Sequence, residues 1–128
     1  MRALLEPAAA RLEPFLADLR DLVDIDSGSH SAAGVNAVVD RLEARFRGNG
    51  WATERSANPG TPYGDLLVAR VGGGTGTRVL IIGHTDTVFD DGTVAERPFT
   101  ITGDSATGPG VNDMKGGDRK STRLNSSH

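Results

Sequence analysis

The residues best suited to chemistry fall in two short runs. The first is Gly83-His84-Thr85-Asp86, directly after the apolar run Val79-Leu80-Ile81-Ile82. In an extended chain, residues two apart project from the same face, so the imidazole of His84 and the carboxylate of Asp86 point together. A neutral imidazole is a good zinc ligand, and a carboxylate beside it fixes its tautomer and raises its basicity. On spacing alone, a solvated loop pair is the ordinary explanation of two such residues. The second run is Gly108-Pro109-Gly110-Val111-Asn112-Asp113-Met114-Lys115-Gly116-Gly117. Glycines around Asp113 let backbone approach a ligand closely, and a carboxylate can bridge two cations through its two oxygens, which imidazole cannot do. The competing reading is a Gly/Pro turn with Asp113 capping a helix. The run is not a dinucleotide fingerprint, because Asp113 stands where the final glycine of G-x-G-x-x-G belongs.

The surrounding chain must hold these runs in place. Leu12, Phe15, Leu16, Leu19, Leu22 and Val23 carry the spacing of an amphipathic helix. Pro14 falls early, where a first-turn proline is tolerated and the helix can restart around it. Asp26-Ser27-Gly28-Ser29 is turn chemistry that ends this helix. A second helix is expected over residues 32–47, with Val35, Val38, Val39, Leu42 and Phe46 inward and Gly48-Asn49-Gly50 as its stop. Strands are expected at residues 51–55, 66–71 and 79–82. The last is apolar on both faces, as a central strand buried between layers should be, and it places His84 and Asp86 at its carboxyl end, where ligands gather in α/β sheets. Residues 72–77 read as a flexible hairpin loop between the last two strands. A phosphate cradle is the rival there, but no Gly-Lys-Ser/Thr follows and a strand, not a helix, comes next. Residues 100–102 form a further strand before a Gly103-Asp104 turn. Helices followed by strands give an α/β layer arrangement, interrupted before the sheet is covered on both sides.

Composition narrows the partners. Hydrophobic residues make up 37% and charged residues 24% of 128, which suits a globular segment. No apolar run is long enough to cross a bilayer, and the N-terminus has no continuous apolar core of a secretory signal. A soluble, cytoplasmic chain is therefore expected, with no membrane partner. There is no cysteine, so any metal must be held by His, Asp or Glu. A net charge of −3 and a pI near 5.5 argue against nucleic acid, which needs a basic face.

The last eleven residues, 118–128, break with this pattern. Residues 1–117 hold ten arginines and a single lysine, Lys115, whereas Asp118-Arg119-Lys120-Ser121-Thr122-Arg123-Leu124-Asn125-Ser126-Ser127-His128 matches, codon for codon, the translation of a common sequencing adapter. The segment is read as a non-native tail and set apart from the fold; a native basic, Ser-rich helix is the alternative. Without it the chain has eleven basic and sixteen acidic residues, a formal charge of −5, and His128 leaves the pool of ligands.

Gly83-His84-Thr85-Asp86-Thr87-Val88, Arg97-Pro98-Phe99, Gly103-Asp104 and the 108–117 run together resemble the N-terminal signature of the M20 metallopeptidases. Gly108-Pro109-Gly110 looks most like the glutamate carboxypeptidase branch. The resemblance covers most of residues 10–117. It implies a partial zinc-peptidase-like three-layer α/β/α domain with a mixed sheet, residues 1–117 being the N-terminal part of the catalytic, zinc-binding domain, and a lid or dimerisation domain absent. It implies His84 as a terminal ligand of one zinc, Asp113 as the carboxylate bridging two, and Asp86 as the catalytic acid that supports His84. Cobalt or manganese could stand in for zinc. A cis peptide after Asp113 is a further implication. Family members also need a Glu-Glu pair, another acidic ligand and a late histidine, all beyond residue 117, so the parent would be the hydrolase and this chain inactive. The implied substrate is an N-acyl or peptidyl amino acid with a free carboxylate, of the kind that ends in glutamate, and the implied parent a homodimer through its missing domain. Deacylation of acetylornithine or succinyl-diaminopimelate is the rival within the family; a metal-free scaffold is the rival outside it. His30, Asp90, Asp91 and Asp104 are read as loop and turn residues rather than ligands.

Overall fold

The computed structural model describes residues 10–121. The first helix, α1, spans Leu12–Val23 without a break at Pro14. The proline sits in the first turn, where its missing N–H has no intrahelical acceptor to lose. The second, α2, spans Ala32–Gly48. Of the five residues the periodicity turns inward, Val35, Val38, Val39 and Leu42 are buried, and Phe46 is half-buried against the Leu22–Val38–Leu42 cluster.

β1 (Ala52–Ser56) and β2 (Leu66–Arg70) pair antiparallel, with Glu54 opposite Val68. After the single turn α3 (Thr93–Glu96), β3 (Thr100–Thr102) and β4 (Ser105–Thr107) form a second antiparallel hairpin closed by Gly103 and Asp104. Gly103 has φ +57°, which glycine adopts without the steric cost of a Cβ. The 111–115 segment then kinks at Asp113 and Met114, and α4 (Gly116–Ser121) follows. The first four residues of the expected non-native tail therefore continue a helix; the rest of it lies outside the described residues.

α1 is central because both its flanks are apolar. Leu19 and Val23 pack with Phe99, against which Phe15, Leu16, Ala106 and Val111 also lie. Leu22 faces the other way, onto Val38 and Leu42 of α2, with Ile25, Phe46 and Leu67 around them. Leu12, at the start of the stripe, is 51% exposed because no element of the described chain reaches it. Among the described residues, helices and strands combine in two separate two-stranded antiparallel sheets, an arrangement consistent with a partial α/β fold.

Residues 79–82 depart from expectation. They form no strand, and Val79, Leu80 and Ile82 are 80%, 82% and 81% exposed. Nor do residues 72–77 close a hairpin; the hairpin partner of β2 is β1. A doubly apolar strand is stable only with neighbours on both edges and layers on both faces. Among the described residues none of these lies beside residues 79–82, so high strand propensity finds no ladder to join.

Candidate functional site

The turn after α1 and the segment carrying His84 and Asp86 are stitched together by backbone. Thr87 N donates to Ser27 O at 2.8 Å and Ser29 N to Thr87 O at 3.0 Å, a parallel bridge between Gly28 and Thr87. Gly28 is required there: a Cβ would stand 2.6 Å from the carbonyl oxygen of Phe89. The carboxylates at the end of α1 collect the neighbouring loops. Asp24 Oδ1 accepts from Phe99 N at 2.7 Å, and Asp26 accepts from Gly92 N at 2.7 Å and Val94 N at 2.9 Å.

The second run folds back onto this platform. Val111 N donates to Gly108 O at 3.2 Å and Lys115 N to Gly110 O at 3.0 Å. Gly110 has φ +73°, and a Cβ there would lie 2.6 Å from Thr87 Cγ2. Only a residue without a side chain lets the loop turn so close to the His84 segment. The Asp113–Met114 peptide is cis.

These elements bring His84, Asp86 and Asp113 together. His84 Nδ1 lies 3.1 Å from both Asp86 Oδ1 and Asp86 O, and His84 Nε2 lies 2.9 Å from Asp113 Oδ1. Asp86 is itself held by the Ser29 hydroxyl, which donates to Oδ2 at 2.5 Å. That hydrogen bond, against the opposing effect of partial burial and with help from His84, keeps the Asp86 pKa below the usual carboxylate range. Burial pulls the His84 pKa down, but the hydrogen bonds to Asp113 and the Asp86 backbone and the charges of both carboxylates more than offset it, so the net shift is upward. An imidazole between two carboxylates is poised in a particular way. Nδ1 is committed to Asp86 as a donor, which leaves the Nε2 lone pair for a cation whenever the proton facing Asp113 leaves.

As a donor set these residues fit part of a zinc shell. Zinc takes nitrogen and oxygen at about 2.0–2.2 Å in tetrahedral geometry, which separates two ligands by roughly 3.4 Å. Nε2 and Oδ1, 2.9 Å apart, would need to part by only about 0.5 Å to share one ion. Among the described residues no three His, Asp or Glu side chains are arranged to hold one metal ion together, for Asp86 and Asp113 meet opposite nitrogens of His84.

His30, Asp90, Asp91 and Asp104 lie in loops and turns. His30 lies against Tyr63, ring centroids 5.6 Å apart. Asp91 accepts from the Ser31 hydroxyl at 2.9 Å, and the Asp90 carbonyl accepts from Thr93 Oγ1 at 2.7 Å. These residues flank an open cleft of about 370 Å³ between Ser29, His30, Phe89 and Asp91. Asp104 stays in the exposed β3–β4 turn. Sequence reasoning missed two buried charges. Lys115 is 0% exposed and Asp118 7% exposed; burial pushes the lysine down to about 8 and the carboxyl up to about 7. The signal available for Lys115 was its place among glycines, which marks close packing without saying against what.

No family model matches the chain. Individual relatives do. Carboxypeptidase G2 of Pseudomonas sp. (strain RS-16) is 39% identical over 99 residues, which are 77% of this chain and 24% of that protein. Acetylornithine deacetylase of Erwinia tasmaniensis is 34% identical over 113 residues, 83% of this chain and 29% of the enzyme. The Klebsiella pneumoniae acetylornithine deacetylase is 36% identical over 112 residues, 82% and 29% respectively. The chain thus spans 24–29% of the length of these curated relatives, and its relationship to them is M20-like.

Proposed function

We propose, from this M20-like relationship, that the chain is the N-terminal part of the catalytic domain of a binuclear, zinc-dependent hydrolase that cleaves the amide bond of N-acyl or peptidyl amino acids. One observation carries the reading: the His84 ring meets Asp86 on one nitrogen and Asp113 on the other. His84 and Asp113 are the residues that would hold the metal, zinc by preference and cobalt or manganese by substitution, with Asp113 shared between two ions. Bound there, the metal would polarise the scissile carbonyl and acidify water. Asp86 keeps Nδ1 protonated so that Nε2 faces the site, and Ser29 keeps Asp86 charged and correctly turned. The kinked loop at Asp113 presents the carboxylate from the opposite side. Two donors are too few for a tightly held ion, so the 128-residue chain by itself turns over no substrate. In the parent, further acids, a late histidine and a lid domain that also forms the dimer would complete the site, within a three-layer mixed sheet in which residues 79–82 become a central strand. We place the tail from residue 118 outside that native domain, and the protein in the cytoplasm.

The likeness to carboxypeptidase G2 favours a substrate with a free carboxylate, of the glutamate-releasing kind. The acetylornithine deacetylases, which align over a larger share of this chain, favour deacylation in amino-acid biosynthesis with equal force, because in the family the chain resembles the same N-terminal motifs serve both activities. The rival of another class is a metal-free scaffold. Calorimetric zinc titration of the chain against His84→Ala and Asp113→Ala decides: weak heats lost in both variants support the ligand pair, and identical heats in all three proteins refute it.

A further inference from the structure

Lys115 is the sole cation among the described residues that is fully removed from solvent, at 0% exposure. Burying a charge is costly unless it is paired and hydrogen-bonded, so its surroundings should show compensation, and they do. Nζ donates to the carbonyl of Ile25 at 2.8 Å. That carbonyl follows the C-terminus of α1, where the helix dipole favours positive charge. The charges of Asp26 and Asp24, at the same end of α1, oppose the effect of burial on the lysine. Asp24 and Asp26 are the same groups that accept from Phe99 N and from Gly92 N and Val94 N, so one acidic node holds two neighbouring segments.

Asp113 needs such support. Its side chain is 83% exposed, and among the described residues its hydrogen-bond partner is His84. An exposed carboxylate on a kinked loop is placed only as well as the loop is. That loop is fastened at Lys115, by its backbone N–H to Gly110 and by its side chain to the end of α1. We propose that Lys115 is a positioning residue: its buried ammonium, moored on the Ile25 carbonyl, holds the 110–115 loop where Asp113 meets the imidazole of His84. A neutral side chain of similar volume would fill the space and leave the loop unmoored.

The proposal deepens the reading of His84 and Asp113 as ligands, and rests on it in one arm of the test only. The full 128-residue chain and Lys115→Met are compared by NMR. One readout is the nuclear Overhauser contact between the His84 ring and the Asp113 β-protons. The other is the cobalt concentration at which both residues broaden. Expected in Lys115→Met are an intact Leu22–Val38 contact, loss of the His84–Asp113 contact, and a cobalt midpoint at least about tenfold higher, the usual range when an outer support of a ligand is removed. A lowered melting temperature with contact and midpoint unchanged makes Lys115 merely structural and overturns the proposal. If the unsubstituted chain shows no broadening at His84 and Asp113, the ligand reading falls, and the contact arm still decides Lys115. Should Lys115→Met not fold, Lys115→Gln, which keeps an N–H donor and adds no bulk, takes its place: a midpoint at least about threefold higher or a weakened contact supports the mooring, and values equal to the unsubstituted chain overturn it.

Discussion

Replacing Gly110 with alanine meets two obstacles at once. Its φ of +73° is a left-handed conformation that costs a residue with a Cβ roughly 1–2 kcal/mol. The added methyl would lie 2.6 Å from Thr87 Cγ2, well inside van der Waals contact, and Thr87 is only 5% exposed and pinned by two backbone hydrogen bonds. Thr87 has little room to swing aside, so overpacking adds about 1–3 kcal/mol. The sum is about 2–5 kcal/mol, a large share of the stability of a small domain. At roughly 4 °C per kcal/mol for a chain of this size, Gly110→Ala should melt about 8–20 °C below the unsubstituted protein. Gly76→Ala is the control, since no atom lies within 4 Å of its Cβ position and its φ is not left-handed; it should change stability by less than about 0.5 kcal/mol. Thermal and urea unfolding followed by circular dichroism measure both. If the two variants unfold within 0.5 kcal/mol of each other, the 108–110 turn does not press on Thr87, and the argument that this glycine lets the two motifs meet is wrong.

Further outcomes follow from the core and from the acid beside His84. Leu22→Ala empties a site that is 0% exposed among Val38 and Leu42 and should cost about 3 kcal/mol, whereas Leu80→Ala, at a position 82% exposed, should stay within about 0.5 kcal/mol; equal losses would mean that residues 79–82 are buried in solution. Ser29→Ala removes the main cause of the low Asp86 pKa. A carboxyl depressed in the folded state contributes stability that is present above its unfolded value of 3.8 and lost as pH falls through the folded pKa. Ser29→Ala should therefore cost about 1 kcal/mol at pH 7, allowing for solvent screening of a half-exposed group. That cost should fade as the solution is acidified below 3.8; an unchanged difference in strong acid would show that the hydroxyl does not act through the charge of Asp86.

Much of the local structure was legible beforehand, and for local reasons. The 3.6-residue period selected Val35, Val38, Val39, Leu42 and Phe46 as the inward face of α2, the first four buried and Phe46 half-buried, because a helix turns by the same angle whatever it packs on. Pro14 was the one ambiguity, and its first-turn position leaves α1 unbroken. The β3–β4 turn was marked by a glycine whose freedom the hairpin uses. Residues 79–82 were misread for an equally physical reason: strand propensity measures fit to a pleated, half-buried surface, and that surface is made by other strands.

The sequence by itself determined that His84 and Asp86 would face one another, since two-residue spacing in an extended segment leaves little choice, and that glycines would let the chain turn tightly around Asp113. Only the tertiary structure decided that Asp113, 29 residues further along, meets the far nitrogen of His84, and that Lys115 is buried against a carbonyl 90 residues before it. Backbone geometry acts over a few bonds and is written in neighbouring residues. Burial of a charge and convergence of two loops depend on which distant surfaces exclude water together, and no short stretch of residues encodes that.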